Sequence, residues 1–169
     1  MAEKPGLHTV IYATEQIRRP QLDVRAKMGT KKISSTDGYV LRIGNEDLVN
    51  QVFNLGKYYS GIQRNFIRGT PILFAAKSEG GDSLVGYGVV DKVESLWEMT
   101  PEEETYAKEH GWRVGLILRG ATRFKTPLLI KNSLLKDDKR RGAYLHGAKL
   151  TEDTIDALLE QAEKAQEAS

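Results

Sequence analysis

The stretch that most constrains the fold is residues 69–90, GTPILFAAKSEGGDSLVGYGVV. Two apolar runs flank a short polar insert that is rich in glycine. Runs of this length and composition are typical of β-strands, and Gly80 and Gly81 can adopt the positive φ that a longer hairpin loop requires. The stretch therefore predicts a hairpin whose strands span residues 71–77 and 83–93.

Other segments predict a mixture of strands and helices around this hairpin. Apolar and β-branched runs favour strands, whereas N-capping residues followed by three- and four-residue apolar spacing favour helices. We expect one α+β domain, a small and mostly antiparallel β-pseudobarrel with flanking helices, with a core over about residues 7–162 and a frayed tail at 165–169. The expected strands are 7–14, 38–43, 112–119 and, as strand or extended chain, 123–129; the expected helices follow Asn45, Thr100 and Thr151.

Composition narrows the function classes. The chain of 169 residues contains no cysteine, which excludes disulfides, thiolate metal sites and cysteine catalysis. No apolar run approaches the roughly 20 residues that a membrane-spanning helix needs. We expect a soluble, cytoplasmic protein without a membrane partner. The net charge of +2 neither requires nor excludes a nucleic-acid partner.

Motifs for catalysis or cofactors are not found in the sequence. The three histidines, His8, His110 and His146, lack metal-ligand spacing, and no phosphate loop or dinucleotide fingerprint is present. The sequence thus predicts no metal, no cofactor and no catalytic residue. Packing or capping is expected for His8 and His110, while His146, in a glycine-flanked loop, could also contact nucleic acid.

Basic and aromatic residues alternate in the stretch from Lys57 to Arg68, and Gly56 and Gly61 favour a loop there. Cations beside aromatic rings suit a nucleic-acid strand, because the cations meet phosphates while the rings stack on bases. The alternative is that the tyrosines pack on the core and the charges are solvated. The candidate base-binding residues are Tyr58, Tyr59, Trp97 and Trp112; the candidate phosphate-binding residues are Lys27, Lys31, Lys32, Lys57, Arg64, Arg68, Lys139, Arg140 and Arg141.

The two tryptophans, Trp97 and Trp112, border one excursion of the chain. If that excursion folds over the sheet, the two indoles could line a pocket that holds a flipped base or a methyl group. Burial of one or both tryptophans in the core is the alternative.

The hairpin, the tryptophan that follows it and the strand HGWRVGLIL at residues 110–118 occur in an order that resembles the PUA-like superfamily, with its EVE, YTH and ASCH branches. The likeness covers roughly residues 60–160. It implies a pseudobarrel that binds RNA or DNA, often by placing a modified base in an aromatic cage. Trp97 matches the tryptophan that helps to form this cage, and Trp112 is matched less closely.

Two departures from the family pattern concern the segment before the hairpin. Residues 22–36 contain no aromatic residue where EVE and YTH domains commonly place a cage residue, so Tyr58 or Tyr59 would have to replace that wall. The stretch 27–32, KMGTKK, lacks the glutamate of the ASCH motif, which weakens the case for hydrolase activity.

Three functions remain open at this point. A non-enzymatic nucleic-acid-binding domain is the first. A nucleotide- or modified-nucleoside-processing enzyme of ASCH-like type is the second, with Asp91 and Glu94 as the nearest titratable candidates. The third is a protein-interaction module with exposed tryptophans as its hot spot. The sequence leaves the oligomeric state undetermined.

Overall fold

The computed structural model of the protein describes residues 37–62, 64–140 and 142–168. The strand expected at residues 7–14 and the aromatic-free segment 22–36 lie outside the described residues. Within them, no helix is both long and apolar enough to cross a membrane.

Six strands form a single mixed sheet in the described part of the chain. In the order β2-β5-β4-β3-β1-β6, every neighbouring pair is antiparallel except β1 and β3, which run parallel. The sheet is curled into a half-barrel, which confirms a mostly antiparallel, barrel-like α+β fold. The strands are β1 (Gly38–Arg42), β2 (Lys57–Ser60), β3 (Pro71–Ser78), β4 (Gly81–Ser95), β5 (Val114–Leu129) and β6 (Ala148–Leu150).

The described helices are α1 (Glu46–Leu55), α2 (Pro101–Glu109) and α3 (Glu152–Glu167). Each begins where its capping residue predicts, because the side chains of Asn45, Thr100 and Thr151 accept a hydrogen bond from a backbone N–H of the first turn. Residues 165–167, the first part of the tail that was expected to fray, continue α3. There the Gln166 amide oxygen accepts a hydrogen bond of 3.0 Å from the Lys125 backbone N–H.

The sheet buries a hydrophobic cluster on each of its two faces. On one face, Leu41 and Phe74 pack with Val52 of α1. On the other, Leu73 packs with residues of α3 such as Leu158. Because β3 and β4 are covered from both sides, their sequences are continuous apolar runs rather than alternating patterns.

Two local predictions differ from the structure. The turn between β3 and β4 contains only Glu79 and Gly80, since Ser78 already pairs with Gly81, so the expected five-residue loop is wrong. Gly81 has a φ of 124°, and Gly80 is not among the described glycines with positive φ. Residues 57–60 form strand β2 rather than a loop, because their backbone pairs with β5.

Gly86, in the LVGYGVV stretch of β4, is required by close packing against α1. A Cβ atom at this position would lie 2.2 Å from Cζ of Phe53 and 2.6 Å from the Thr122 carbonyl oxygen. Since one of these neighbours is backbone, the contact cannot be relieved by a side-chain movement alone. The glycine lets α1 sit directly on the sheet.

The substitution Gly86→Ala should destabilise the protein by about 2–3 kcal/mol, because the added methyl overpacks a rigid contact. Urea unfolding monitored by circular dichroism measures the change. Gly44→Ala is the matched control, since a Cβ there meets nothing within 4 Å, and its effect should stay within about 0.5 kcal/mol. Equal stabilities for the two variants would contradict this account of β4.

Candidate functional site

Most of the described cations that the sequence nominated for phosphates have partners within the protein. Arg64 donates from Nε to the Gly147 carbonyl oxygen at 2.9 Å, and Arg140 forms an ion pair of 2.8 Å with Asp138. Arg68 lies 3.5 Å from Asp91 in an exposed pair. Lys139 is exposed. Lys27, Lys31, Lys32 and Arg141 lie outside the described residues.

Lys57 is enclosed by two carboxylates. Its Nζ donates to Oε1 of Glu94 at 2.7 Å and to Oε2 of Glu103, and the latter oxygen also accepts the Tyr59 hydroxyl at 2.5 Å. Gly115 of β5 lies between Tyr59 and Glu94 in the sheet, and its missing side chain leaves the space through which Lys57 reaches across the strand.

The pKa values of this cluster hold its charges in place. Burial lowers the pKa of Lys57, but its hydrogen bonds to Glu103 and Glu94 outweigh burial and raise the pKa above the ordinary value. The hydrogen bond from Lys57, followed by the hydrogen bond from Tyr59, lowers the pKa of Glu103. Burial and the bond to Glu103 raise the pKa of Tyr59 to about 12. Lys57 is therefore a structural cation, whose charge is balanced by Glu94 and Glu103.

Thr100 caps α2, but Glu103 does not complete a capping box with it. Oγ1 of Thr100 accepts a hydrogen bond from the Glu103 backbone N–H at 3.2 Å, as expected. The Glu103 carboxylate, however, bonds to Lys57 and Tyr59 on β2 rather than to the N-cap backbone. Glu103 thereby attaches α2 to the edge of the sheet.

The four aromatic residues nominated for base binding do not form one cluster. Tyr58 is buried, and its hydroxyl donates to the Arg42 carbonyl oxygen at 2.8 Å. The Trp112 ring stacks on Tyr59, with centroids 5.3 Å apart, and on His110, with centroids 4.4 Å apart. Trp97 is 80% exposed and has no ring contact with the described part of the chain. The structure does not bring the two indoles together.

The sequence did not predict a depression next to the β3–β4 turn, at the end of β4 that lies away from Glu94 and Lys57. Its volume is about 170 Å³, small beside the roughly 300–1,000 Å³ of typical small-molecule pockets. This size suits a single small group, such as one base or one phosphate. The depression is lined by Gly80, Gly81, Asp82, Ile130, Lys131, Lys136, Gly142 and Leu145.

Arg42, the last residue of β1, connects the walls of this depression. Its Nη1 donates to Oδ2 of Asp82 at 2.8 Å and to the Gly142 carbonyl oxygen at 3.2 Å. Its backbone N–H donates to Nδ1 of His146 at 2.9 Å. One residue thus holds the start of β4 and the 142–147 segment beside β1. In the sequence, this role of Arg42 is indicated only by its place as a charged residue at the end of an apolar strand.

Two lysines line the depression, and one exposed aromatic residue lies close to its lining residues along the chain. Lys131 is exposed and forms no ion pair or hydrogen bond with the described residues, and Lys136 lies beside it in the same lining. Tyr144, between the lining residues Gly142 and Leu145, is 81% exposed. No group of three or more acidic or histidine residues that could hold a metal ion occurs among the described residues.

His146 fastens the 142–147 segment as a neutral side chain. Because Nδ1 accepts the Arg42 N–H, that nitrogen carries no proton. Burial, followed by the positive charges of Arg64 and Arg42, lowers the pKa of His146. The next residue continues this attachment, since the Gly147 N–H donates to the Val40 carbonyl oxygen at 2.7 Å.

Replacing Lys57 with methionine should destabilise the protein by about 3 kcal/mol, because two partly buried carboxylates would lose their cation. The matched control is Lys108→Met, which removes an exposed helix pair with Glu104 and should cost only about 0.3–0.5 kcal/mol. Urea unfolding measures both. Similar losses in the two variants would contradict a structural role for Lys57.

Acidification should weaken the fold through His146. The pKa of His146 is lowered in the folded protein, so the unfolded chain binds a proton more readily. The stability that neutral His146 contributes is therefore complete above its ordinary pKa of 6.5 and is lost as the pH falls below that value. His146→Asn keeps an acceptor near Nδ1 but does not titrate. The difference in unfolding free energy between wild type and variant should change from pH 7.5 to pH 5.5. Parallel profiles for wild type and His146→Asn would contradict this role.

Comparisons with known proteins bear on the fold alone. No protein-family model matches the chain, and no curated protein matches it. Among solved structures, a hypothetical protein from Leishmania major is similar, with a TM-score of 0.50 and 13% sequence identity, over 76% of this chain and 97% of that one. This likeness, at so low an identity, concerns the arrangement of strands and helices.

Proposed function

We propose that this chain is a non-enzymatic nucleic-acid-binding domain that contacts RNA or DNA at the depression beside the β3–β4 turn. The observation that carries the proposal is the presence of Lys131 and Lys136 in the lining of one small depression. The exposed Tyr144 lies in the chain between Gly142 and Leu145, two further residues of that lining. Lysines at its edge can meet phosphates, and an exposed tyrosine ring can stack on a base.

This proposal changes the set of contacts that the sequence suggested. Lys57 is excluded because two glutamates hold it. Arg68 and Lys139, both exposed, are retained as candidate phosphate contacts. Base stacking moves from Tyr59 and Trp112, which stack on each other, to Tyr144.

We include the PUA-like affiliation in the proposal. It is supported by the central position of the β3–β4 hairpin in a curled sheet and by the tryptophan-bearing segment and long strand that follow. In such a domain, a modified or flipped base would enter a small pocket. The depression offers a space of that size, and Tyr144 lies in the chain between two of its lining residues.

The enzyme alternative gains no specific support. An acid or base that works at neutral pH needs a pKa near 7 inside a pocket. Lys57 and Glu103 have pKa values shifted the other way, so both stay charged. Asp91 and Glu94, the earlier candidates, pair with Arg68 and Lys57.

The protein-interaction alternative is favoured by one observation, the 80% exposure of the Trp97 side chain. Exposed indoles are frequent anchors of protein interfaces. Binding through such an anchor would depend little on salt, whereas phosphate contacts weaken steeply as salt rises. Trp97→Ala should leave nucleic-acid affinity unchanged if the depression is the site.

The test is fluorescence-anisotropy binding to short single- and double-stranded RNA and DNA, plain and base-methylated, over a salt series. The double variant Lys131→Gln, Lys136→Gln should lower affinity and reduce the slope of log K against log salt by about 1.4 on a single strand, since two phosphate contacts are lost. Tyr144→Ala should cost about 1–3 kcal/mol without changing the slope.

Lys108→Gln is the control for the loss of a surface lysine away from the depression. Lys108 lies on α2, which follows the far end of β4, so its loss should leave affinity and slope unchanged. The proposal fails if no probe binds at low salt, or if Lys108→Gln weakens binding as much as the double variant does.

A further inference from the structure

Asp82 is the one acidic residue among the residues that line the depression. Its Oδ2 accepts a hydrogen bond of 2.8 Å from Nη1 of Arg42, while Oδ1 makes no hydrogen bond to the described part of the chain. The Asp82 side chain is 27% exposed, and it is placed at the first residues of β4, immediately after the turn. Arg42 therefore fixes the carboxylate in the depression and leaves one oxygen to accept from a ligand.

A carboxylate is unfavourable in a site that binds phosphate groups alone, because like charges repel. Here Arg42 balances the charge of Asp82, and the lysines stand in the same lining. The arrangement suits a ligand with two different parts, an anionic part for the lysines and a hydrogen-bond donor for Oδ1. A nucleotide has both parts, in its phosphate and in the edge of its base.

The walls beside Asp82 are compatible with a flat, largely apolar ring. Ile130 and Leu145 contribute aliphatic surface to the depression. Gly81 and Gly142 have φ of 124° and 55°, and a Cβ at either position would meet no atom within 4 Å, so the turns leave open space where side chains would project. A base could enter there with its edge toward Asp82.

The chemistry of the bases then predicts a preference. Adenine, cytosine and guanine carry exocyclic amino groups that donate hydrogen bonds, and a carboxylate accepts readily from such a group. Uracil and thymine lack such an amino group. Their one donor on this edge, N3–H, stands between two carbonyl oxygens, which would repel the carboxylate. An aspartate in the position of Asp82 therefore distinguishes bases that carry an exocyclic amino group from uracil and thymine.

We propose that Asp82 is the specificity-determining residue of this site and that the depression takes a base with an exocyclic amino group in preference to uracil or thymine. This inference rests on the proposed nucleic-acid-binding function. Arg42 is a positioning residue, since it acts through Asp82 and does not itself face the base edge in this arrangement.

The experiment uses uracil 9-mers of RNA with one central substitution by cytosine, adenine or guanine, measured by anisotropy at fixed salt against the full chain. Wild type should bind the substituted oligomers at least about fivefold more tightly than all-uracil RNA. Asp82→Asn, whose amide both donates and accepts, should reduce this preference to less than about twofold. The salt slope should be unchanged. Asp47→Asn, on the exposed first turn of α1, is the matched control and should keep the preference.

A second arm needs no protein variant. Replacing the central cytosine with pyrimidin-2-one removes the amino group and little else, so wild type should lose the preference for that oligomer. This arm decides the matter if Asp82→Asn does not fold, which thermal unfolding will show.

The outcomes separate the two proposals. Salt-dependent binding that is equal for all bases, or equal for cytosine and pyrimidin-2-one, overturns the inference and leaves the nucleic-acid-binding function standing. Absence of binding to every oligomer at low salt overturns both. A preference that survives in a folded Asp82→Asn variant also overturns the role of Asp82.

Discussion

The two-sided burial of the β3–β4 hairpin is the constraint on which the rest of the structure depends. Side chains such as Leu73, Phe74 and Leu84 are fully buried, and the hairpin is covered by α1 on one face and α3 on the other. Burial of a side chain of this size stabilises by about 1.5–3 kcal/mol relative to exposure, so the hairpin dominates the core. Function is then confined to the edges of the sheet and to the two ends of the hairpin.

The two ends of β4 differ in how far their polar groups are satisfied within the protein. At the end near Glu94, Lys57 binds two glutamates and the rings of Tyr59 and Trp112 stack on each other. The charge and the stacked ring faces are therefore already in contact with other residues of the protein. At the turn end, Lys131 and one oxygen of Asp82 have no partner in the described chain. A ligand would gain more at the turn end, since it would not have to replace existing contacts.

Local features of the fold could be predicted from the sequence, and features that join distant segments could not. Helix starts at Asn45, Thr100 and Thr151 were predicted correctly because capping depends on neighbouring residues. The Lys57–Glu103 bond spans 46 positions and the Arg42–Gly142 bond spans 100, and no sequence pattern marks either pair. The depression depends on the second of these bonds, which is why the sequence did not reveal it.

The error at residues 57–60 shows how one secondary-structure assignment redirects a functional prediction. In a strand, alternate side chains share a face, so Lys57 and Tyr59 project together while Tyr58 and Ser60 project to the other side and are buried. The period of two therefore separates the paired tyrosines. It also places the lysine and one tyrosine against the acidic first turn of α2, where Glu103 binds both.

In a loop the same residues would have offered cations and rings to a ligand; in a strand they complete the attachment of α2. The basic and aromatic composition of the stretch was the same in either case, so only the backbone conformation decided whether it served binding or packing.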